Sequence, residues 1–184
     1  MLKEINEEIA KYFLVDSLEY LKRYEILKIN QTHIGNRSKL LIDLLFSMEC
    51  SVNALIFLES NTNEKETYKN IRTHNLIKLL QKVNTDELTN IVEKIESNIE
   101  HFSISSRYTL EAQIYFRPTN GVLGETYYNT IASFIWLDEM YQCAKKLYDY
   151  TNSKIEYLKV VSFNEIDIDR QLEKFKRISE INKK

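Results

Sequence analysis

Apolar residues recur along most of this chain at separations of three and four, the spacing of helices that bury one face. From about Leu2 to Leu27 the pattern runs through Ile5, Ile9, Tyr12, Phe13, Leu18 and Leu21. A polar stretch from Lys28 to Asn36, which contains Gly35, predicts a loop. The strongest pattern follows, from Arg37 to Glu59. There Leu41, Leu44, Leu45, Met48, Val52, Leu55 and Ile56 make a continuous stripe. Leu40, Ile42, Ala54, Phe57 and Leu58 widen it beyond one face, so this helix is expected to be central.

A polar connector at Ser60–Lys65 leads into a short ordered piece around Tyr68–Ile71. Thr73 is a candidate N-cap for a helix from His74 to about Val83, with Leu76, Leu79, Leu80 and Val83 inward. Thr85, with Asp86 and Glu87 behind it, caps a further helix to about Glu100; acids in a first turn suit the helix dipole. Ser105 or Ser106 starts a short helix carrying Arg107, Tyr108 and Ala112, and Arg117–Pro118–Thr119–Asn120–Gly121 predicts a turn. A long helix is expected from Thr126 to Thr151, about 40 Å of it at the helical rise. Its stripe includes Tyr127, Ile131, Phe134, Leu137, Tyr141, Ala144 and Tyr148. A charged helix from about Asn164 to Ile181 keeps a thin stripe of Ile168, Leu172, Phe175 and Ile178. That stripe leaves three fates open: loose docking, extension away from the body, or service to a partner.

Composition narrows the class. Only three glycines and one proline occur in 184 residues, too few for the many turns of an all-β or doubly wound α/β fold. The expectation is an all-α, up-and-down helical bundle with extra N- and C-terminal helices. Residues 1–36 form the N-terminal helix and loop, 37–152 the bundle, and 153–184 the charged C-terminal helix, all in one compact domain. A net charge of -2 argues against a strongly basic nucleic-acid footprint over the whole chain, while leaving room for a local basic pocket. No apolar run reads as long enough to span a membrane, and acids rather than a basic leader occupy the N-terminus (Glu4, Glu7, Glu8), so a cytoplasmic protein is expected. Cys50 and Cys143 lie far apart in apolar helical stretches and read as free core thiols.

Three histidines are present, and each can be weighed. His33 and His101 fall in predicted loops without an obvious second ligand. His74 lies in a predicted first turn, within Arg72–Thr73–His74–Asn75–Leu76, where free N–H groups favour an anion. A capping or packing role is the competing account. Ser105–Ser106–Arg107–Tyr108 sets a planar cation beside a ring that can stack on a base; an exposed Arg and a half-buried Tyr are the ordinary alternative. Tyr127, Tyr141 and Tyr148 fit core packing, and the basic residues of the last helix, interleaved with Glu173 and Glu180, read as a solvated face. No Gly-rich phosphate loop, His-Glu-x-x-His, paired Cys or nucleophile elbow occurs, so neither a metal nor another cofactor is expected.

Three features in order then resemble the HEPN superfamily of small helical bundles, over roughly Ser38 to Tyr150. They are the long apolar helix Lys39–Leu58, the Thr-His-Asn-Leu-x-x-Leu-Leu start at Thr73–Leu80, and Ser106–Arg107–Tyr108 ahead of a Tyr-rich final bundle helix. The branch resembled is that of the helical C-terminal domain of nucleotidyltransferases, whose motifs read Thr-His-Asp-Leu and Arg-Tyr-Pro. Here Asn75 replaces the Asp and Thr109 the Pro. The resemblance implies ligand-side groups at His74, Asn75, Arg107 and Tyr108, with Arg72 adjacent. A second branch comprises metal-independent ribonucleases that carry Arg, four to six residues, then His on the last bundle helix. That spacing is absent, since Thr126–Thr151 holds neither Arg nor His.

The resemblance therefore implies a non-catalytic accessory protein that binds a nucleotide or nucleic acid. It implies a homodimer, an operon partner such as a nucleotidyltransferase, and a setting in toxin–antitoxin or phage defence. Two rivals stand beside it. One is an atypical endoribonuclease using His74 and Arg107; the other is a purely structural interaction module.

Overall fold

The computed structural model describes residues 2–30, 33, 36–84, 86–99, 129–155 and 167–183. Two long helices dominate: α1 (Leu2–Asn30) and α2 (Arg37–Glu59). Their contacts run in opposite senses along the pair. Asn6 Nδ2 donates to the carbonyls of Ser60 and Thr62, Phe13 stacks on Phe57, Tyr20 meets Phe46, and Arg23 pairs with Asp43. The two helices are thus an antiparallel hairpin packed along its length. At its middle, buried Ser17 Oγ lies 2.9 Å from the Ser47 carbonyl, 2.9 Å from Ser47 Oγ and 2.8 Å from Ser51 Oγ. Small side chains let the two backbones come close, and the three hydroxyls satisfy one another where water cannot reach.

This contact shifts the predicted face of α1. The buried edge runs through Ala10, Leu14, Ser17, Leu21 and Tyr24, whereas Tyr12 is exposed. α2 is buried nearly all round, as a central helix should be. It is also long and apolar enough to cross a membrane, which corrects the expectation that no run reaches that length. Its most apolar stretch is 83% buried inside the protein, as befits a core helix.

After α2 come α3 (Glu64–Asn70), α4 (Leu76–Leu80), a 3-10 turn (Asp86–Leu88) and α5 (Thr89–Ile99). α4 is much shorter than the predicted His74–Val83, and its N-cap is Asn75, not Thr73. Thr73 Oγ1 instead accepts from the Asn75 amide at 3.1 Å, a local bond that competes with helix and delays its start. The long helix α6 spans Phe134–Ser153, so the predicted start at Thr126 is also corrected. Ser133 caps it, accepting from the Trp136 amide, and the Ser133 amide donates to the Thr130 carbonyl at 2.8 Å in the turn before it. Ile131 stays fully buried within that turn. Asn98–Trp136 and Lys94–Glu139 pairs run α5 antiparallel to α6; Lys28 on Asp138 and Tyr24 stacked on Tyr141 run α6 antiparallel to α1. Helices α1, α2, α5 and α6 therefore alternate in direction, and the described residues are all-α with no strand.

The last described helix, α7 (Ile168–Ser179), is capped by Asp167. Its basic side is not simply a solvated face. Arg170 pairs with Glu4, Lys174 with Glu8 at 3.3 Å, and Arg177 grips Glu64 through bonds of 2.9 and 2.5 Å. Burial pushes the Glu64 carboxyl up, but the Arg177 hydrogen bonds, a backbone bond and the Arg177 charge outweigh it, leaving the group below the usual glutamate range. A lowered folded-state pKa contributes stability above the ordinary glutamate range and loses it as pH falls through the lowered value. Hydrogen exchange should therefore show the α7 amides losing protection on acidification before those of α2, after correction for intrinsic rates. Arg177→Ala should remove that acid-dependent difference.

Candidate functional site

His74, Asn75 and Arg72 lie together where the chain enters α4, beside the middle of α2. Asn75 is committed to the helix itself: its side-chain oxygen accepts from the Lys78 amide at 3.0 Å. His74 leans on α2, with Nδ1 3.0 and 3.3 Å from the two carboxylate oxygens of Glu49. The carboxylate is mostly covered (14% exposed) and the imidazole mostly open (71%). Burial raises the Glu49 carboxyl above its ordinary value, and the charge and hydrogen bond of His74 oppose that rise. Nδ1–H is thereby held by Glu49, and Nε2 is the ring nitrogen left to meet a ligand.

Arg72 reaches the other way. Its guanidinium lies 5.5 Å from the centre of the Tyr68 ring and donates to Asn182 Oδ1 at 2.6 Å. Around it the sequence is locally basic. Lys65, Lys69, Arg72, Lys78 and Lys82 face the single acid Glu66 between residues 65 and 82, and all five cations are exposed. Lys65, Tyr68–Lys69 and Arg72 recur at helical spacing along one side of α3 and the turn that extends it. Lys82 closes back on this piece by donating to the Asn70 carbonyl. The result is a basic strip with one half-buried aromatic ring in it.

No family model matches the chain, and neither a curated protein nor a solved structure does.

Of the sequence-predicted site residues, Arg72, His74 and Asn75 are brought to one edge, whereas Arg107 and Tyr108 lie outside the described residues, as do His101, Thr85 and Tyr127. Glu49, Tyr68 and the four lysines of the strip were not singled out from the sequence. A running charge count over residues 65–82 was the available signal, and the whole-chain charge of -2 hid it. Both cysteines are free thiols. Burial, then Asp16 and Glu49, push Cys50 up to about 12, and burial also raises Cys143, so neither is poised as a nucleophile. Among the described residues no group of three His, Cys, Asp or Glu is arranged to hold a metal ion. A cavity of about 240 Å³ is lined by Lys3, Glu7, Leu55, Leu58, Glu59 and Lys154. It is smaller than the roughly 300–1,000 Å³ common for small-molecule sites, and none of the candidate residues lines it.

The capping role of Asn75 is separable from ligand binding. Asn75→Ala should cost about 1 kcal/mol in thermal or urea denaturation, and Asn75→Asp should retain that stability because a carboxylate caps equally well.

Proposed function

We propose that the chain is a non-catalytic, HEPN-like accessory protein that binds single-stranded nucleic acid or a nucleotide along the basic strip of α3 and α4. The observation that carries this reading is the exposed row Lys65, Lys69, Arg72 and Lys82 with the Arg72–Tyr68 contact inside it. Cations spaced along a ridge neutralise successive phosphates, and a ring or guanidinium plane offers a base a stacking surface. His74, with Nδ1 tied to Glu49, offers Nε2 as a directional contact. The order of the Thr73–Leu80 motif after the long apolar helix supports the HEPN-like assignment. The all-α architecture is compatible with it.

Fluorescence anisotropy with a labelled single-stranded RNA tests the claim. Affinity should fall with salt at a log–log slope of about -0.7 per phosphate neutralised. Lys69→Glu combined with Lys82→Glu should flatten that slope, and Tyr68→Ala should weaken binding with the slope unchanged. Equal weak binding by wild type and the charge-reversed variant would remove the proposal.

A second reading rests on the Glu49–His74 bond. A carboxylate that fixes an exposed imidazole through Nδ1 is the arrangement of a general acid–base pair. On this reading, the protein cleaves RNA in the presence of EDTA. His74→Ala should then abolish cleavage and Glu49→Gln reduce it, both with RNA affinity retained. Cleavage that survives in His74→Ala belongs to a contaminant and ends this reading.

A further inference from the structure

The helix α7 is mounted with its polar side against the body. Arg170, Lys174 and Arg177 face α1 and α3, where they meet Glu4, Glu8 and Glu64. About half a turn away around the helix, Ile168, Leu172 and Phe175 point outward with 63%, 61% and 51% of their surface exposed. A helix docked on a globular body normally does the reverse. Ile178 and Ile181 alone, at the far end, pack partly against the core. The exposed row continues with the small residue Ser179, so its members are spaced four, three and four apart. That is the alternation of a two-helix seam, narrower than the apolar face of a helix covering a core.

We infer that this seam is covered by α7 of a second copy of the chain, lying antiparallel about a two-fold axis between residues 173 and 174. The register follows from the residues. An antiparallel two-fold pairing sets Leu172 against Phe175 of the second copy and Ile168 against Ser179, so each large side chain faces a smaller or complementary one. It also brings together the one flank that carries charge beside the seam. Asp169 and Lys176 are both exposed, and this pairing sets Asp169 of each copy beside Lys176 of the other, twice per dimer. Parallel pairing would instead bring these two residues opposite Gln171 and Ile178, with no charge complement. The docking side and the seam point in opposite directions, so the two bodies stand clear of each other. A membrane surface fits less well: an interfacial helix keeps its cations beside the apolar face, whereas Arg170, Lys174 and Arg177 are on the far side and already paired with carboxylates.

Two short helices cover less than the roughly 800 Å² per partner of a standard interface, so the dimer is weak and depends on concentration. Its ordering cost is low, because the ion pairs to the body already hold α7 as a helix. The inference is independent of nucleic-acid binding.

Sedimentation velocity on the full chain over a wide concentration range is the test. Wild type should pass from monomer to dimer, and Leu172→Glu should stay monomeric with unchanged circular dichroism. Asp169→Lys alone and Lys176→Asp alone should each dimerise roughly tenfold more weakly, since two attractions become two repulsions. An equimolar mixture of those two variants should form a heterodimer as tightly as wild type. A chain that remains monomeric throughout, a dimer indifferent to Leu172→Glu, or a mixture with no preference for the heterodimer overturns the inference. So does binding to anionic vesicles that depends on Leu172 without self-association.

Discussion

The close approach of α1 and α2 at Ser17, Ser47 and Ser51 is the constraint on which the remaining elements depend. Three hydroxyls sealed from water are tolerated only because each finds another within hydrogen-bonding distance. A larger apolar side chain at any of them would push the backbones apart. The hairpin is then closed at one end by Arg23 on Asp43 and at the other by Asn6 on the Ser60 and Thr62 carbonyls. With one side of α2 taken up in this way, its other apolar sides remain to be covered. α6 and α4 do so, which is why α2 is buried nearly all round.

That central position also sets the electrostatics of the candidate edge. α2 carries Glu49 on the flank that meets the entry to α4, where burial makes an unpartnered carboxylate costly. His74 lies over it and offsets part of that cost. The same short stretch cannot be a longer helix, because Thr73 takes the Asn75 amide and Asn75 caps at Lys78. Arg72, just outside the helix, is therefore directed toward Tyr68 and Asn182 rather than toward α2. The cations and the imidazole share an edge but differ in character: the former carry unbalanced charge, the latter sits over an acid.

Legibility in the sequence followed side-chain size. The bounds of α2, Arg37–Glu59, could be read because large apolar side chains mark most of its circumference. α1 was recognised as a helix, yet its inner edge was misplaced. Ala10 and Ser17, both fully buried, add little to an apolar stripe, whereas Tyr12 does and is exposed. Caps were harder still. Ser133 and Asn75 each had a neighbour of similar capping ability or an apolar pattern running past it, so tertiary contacts decided the helix starts. Ile131 illustrates this: it fits the periodicity of α6 and is fully buried, but from the turn that precedes the helix. At the candidate edge His74 and Arg72 were visible as residues. Glu49, 25 positions before His74, was not, because only the packing of α4 on α2 brings them together.

The mounting of α7 separates two forces that usually act on one face. Its attachment to the body is chiefly by charge, through Glu4, Glu8 and Glu64, with Ile178 and Ile181 adding apolar contact at the far end; two of the three pairs involve carboxylates open enough for salt to screen. Its outward seam is apolar, and salt does not weaken apolar contact. Raising ionic strength thus loosens α7 from its own body without loosening one α7 from another. Arg177 on Glu64 is the exception within the docking face: that carboxylate is nearly buried and held by two hydrogen bonds, so it keeps the C-terminal half of the helix in place when the outer pairs are screened. Asn182, just beyond that half, bonds Arg72, and Glu64 is the first residue of α3, so α7 and the basic strip share two anchors. Coupling between self-association and the candidate edge would run through these two contacts, Asn182 on Arg72 and Arg177 on Glu64.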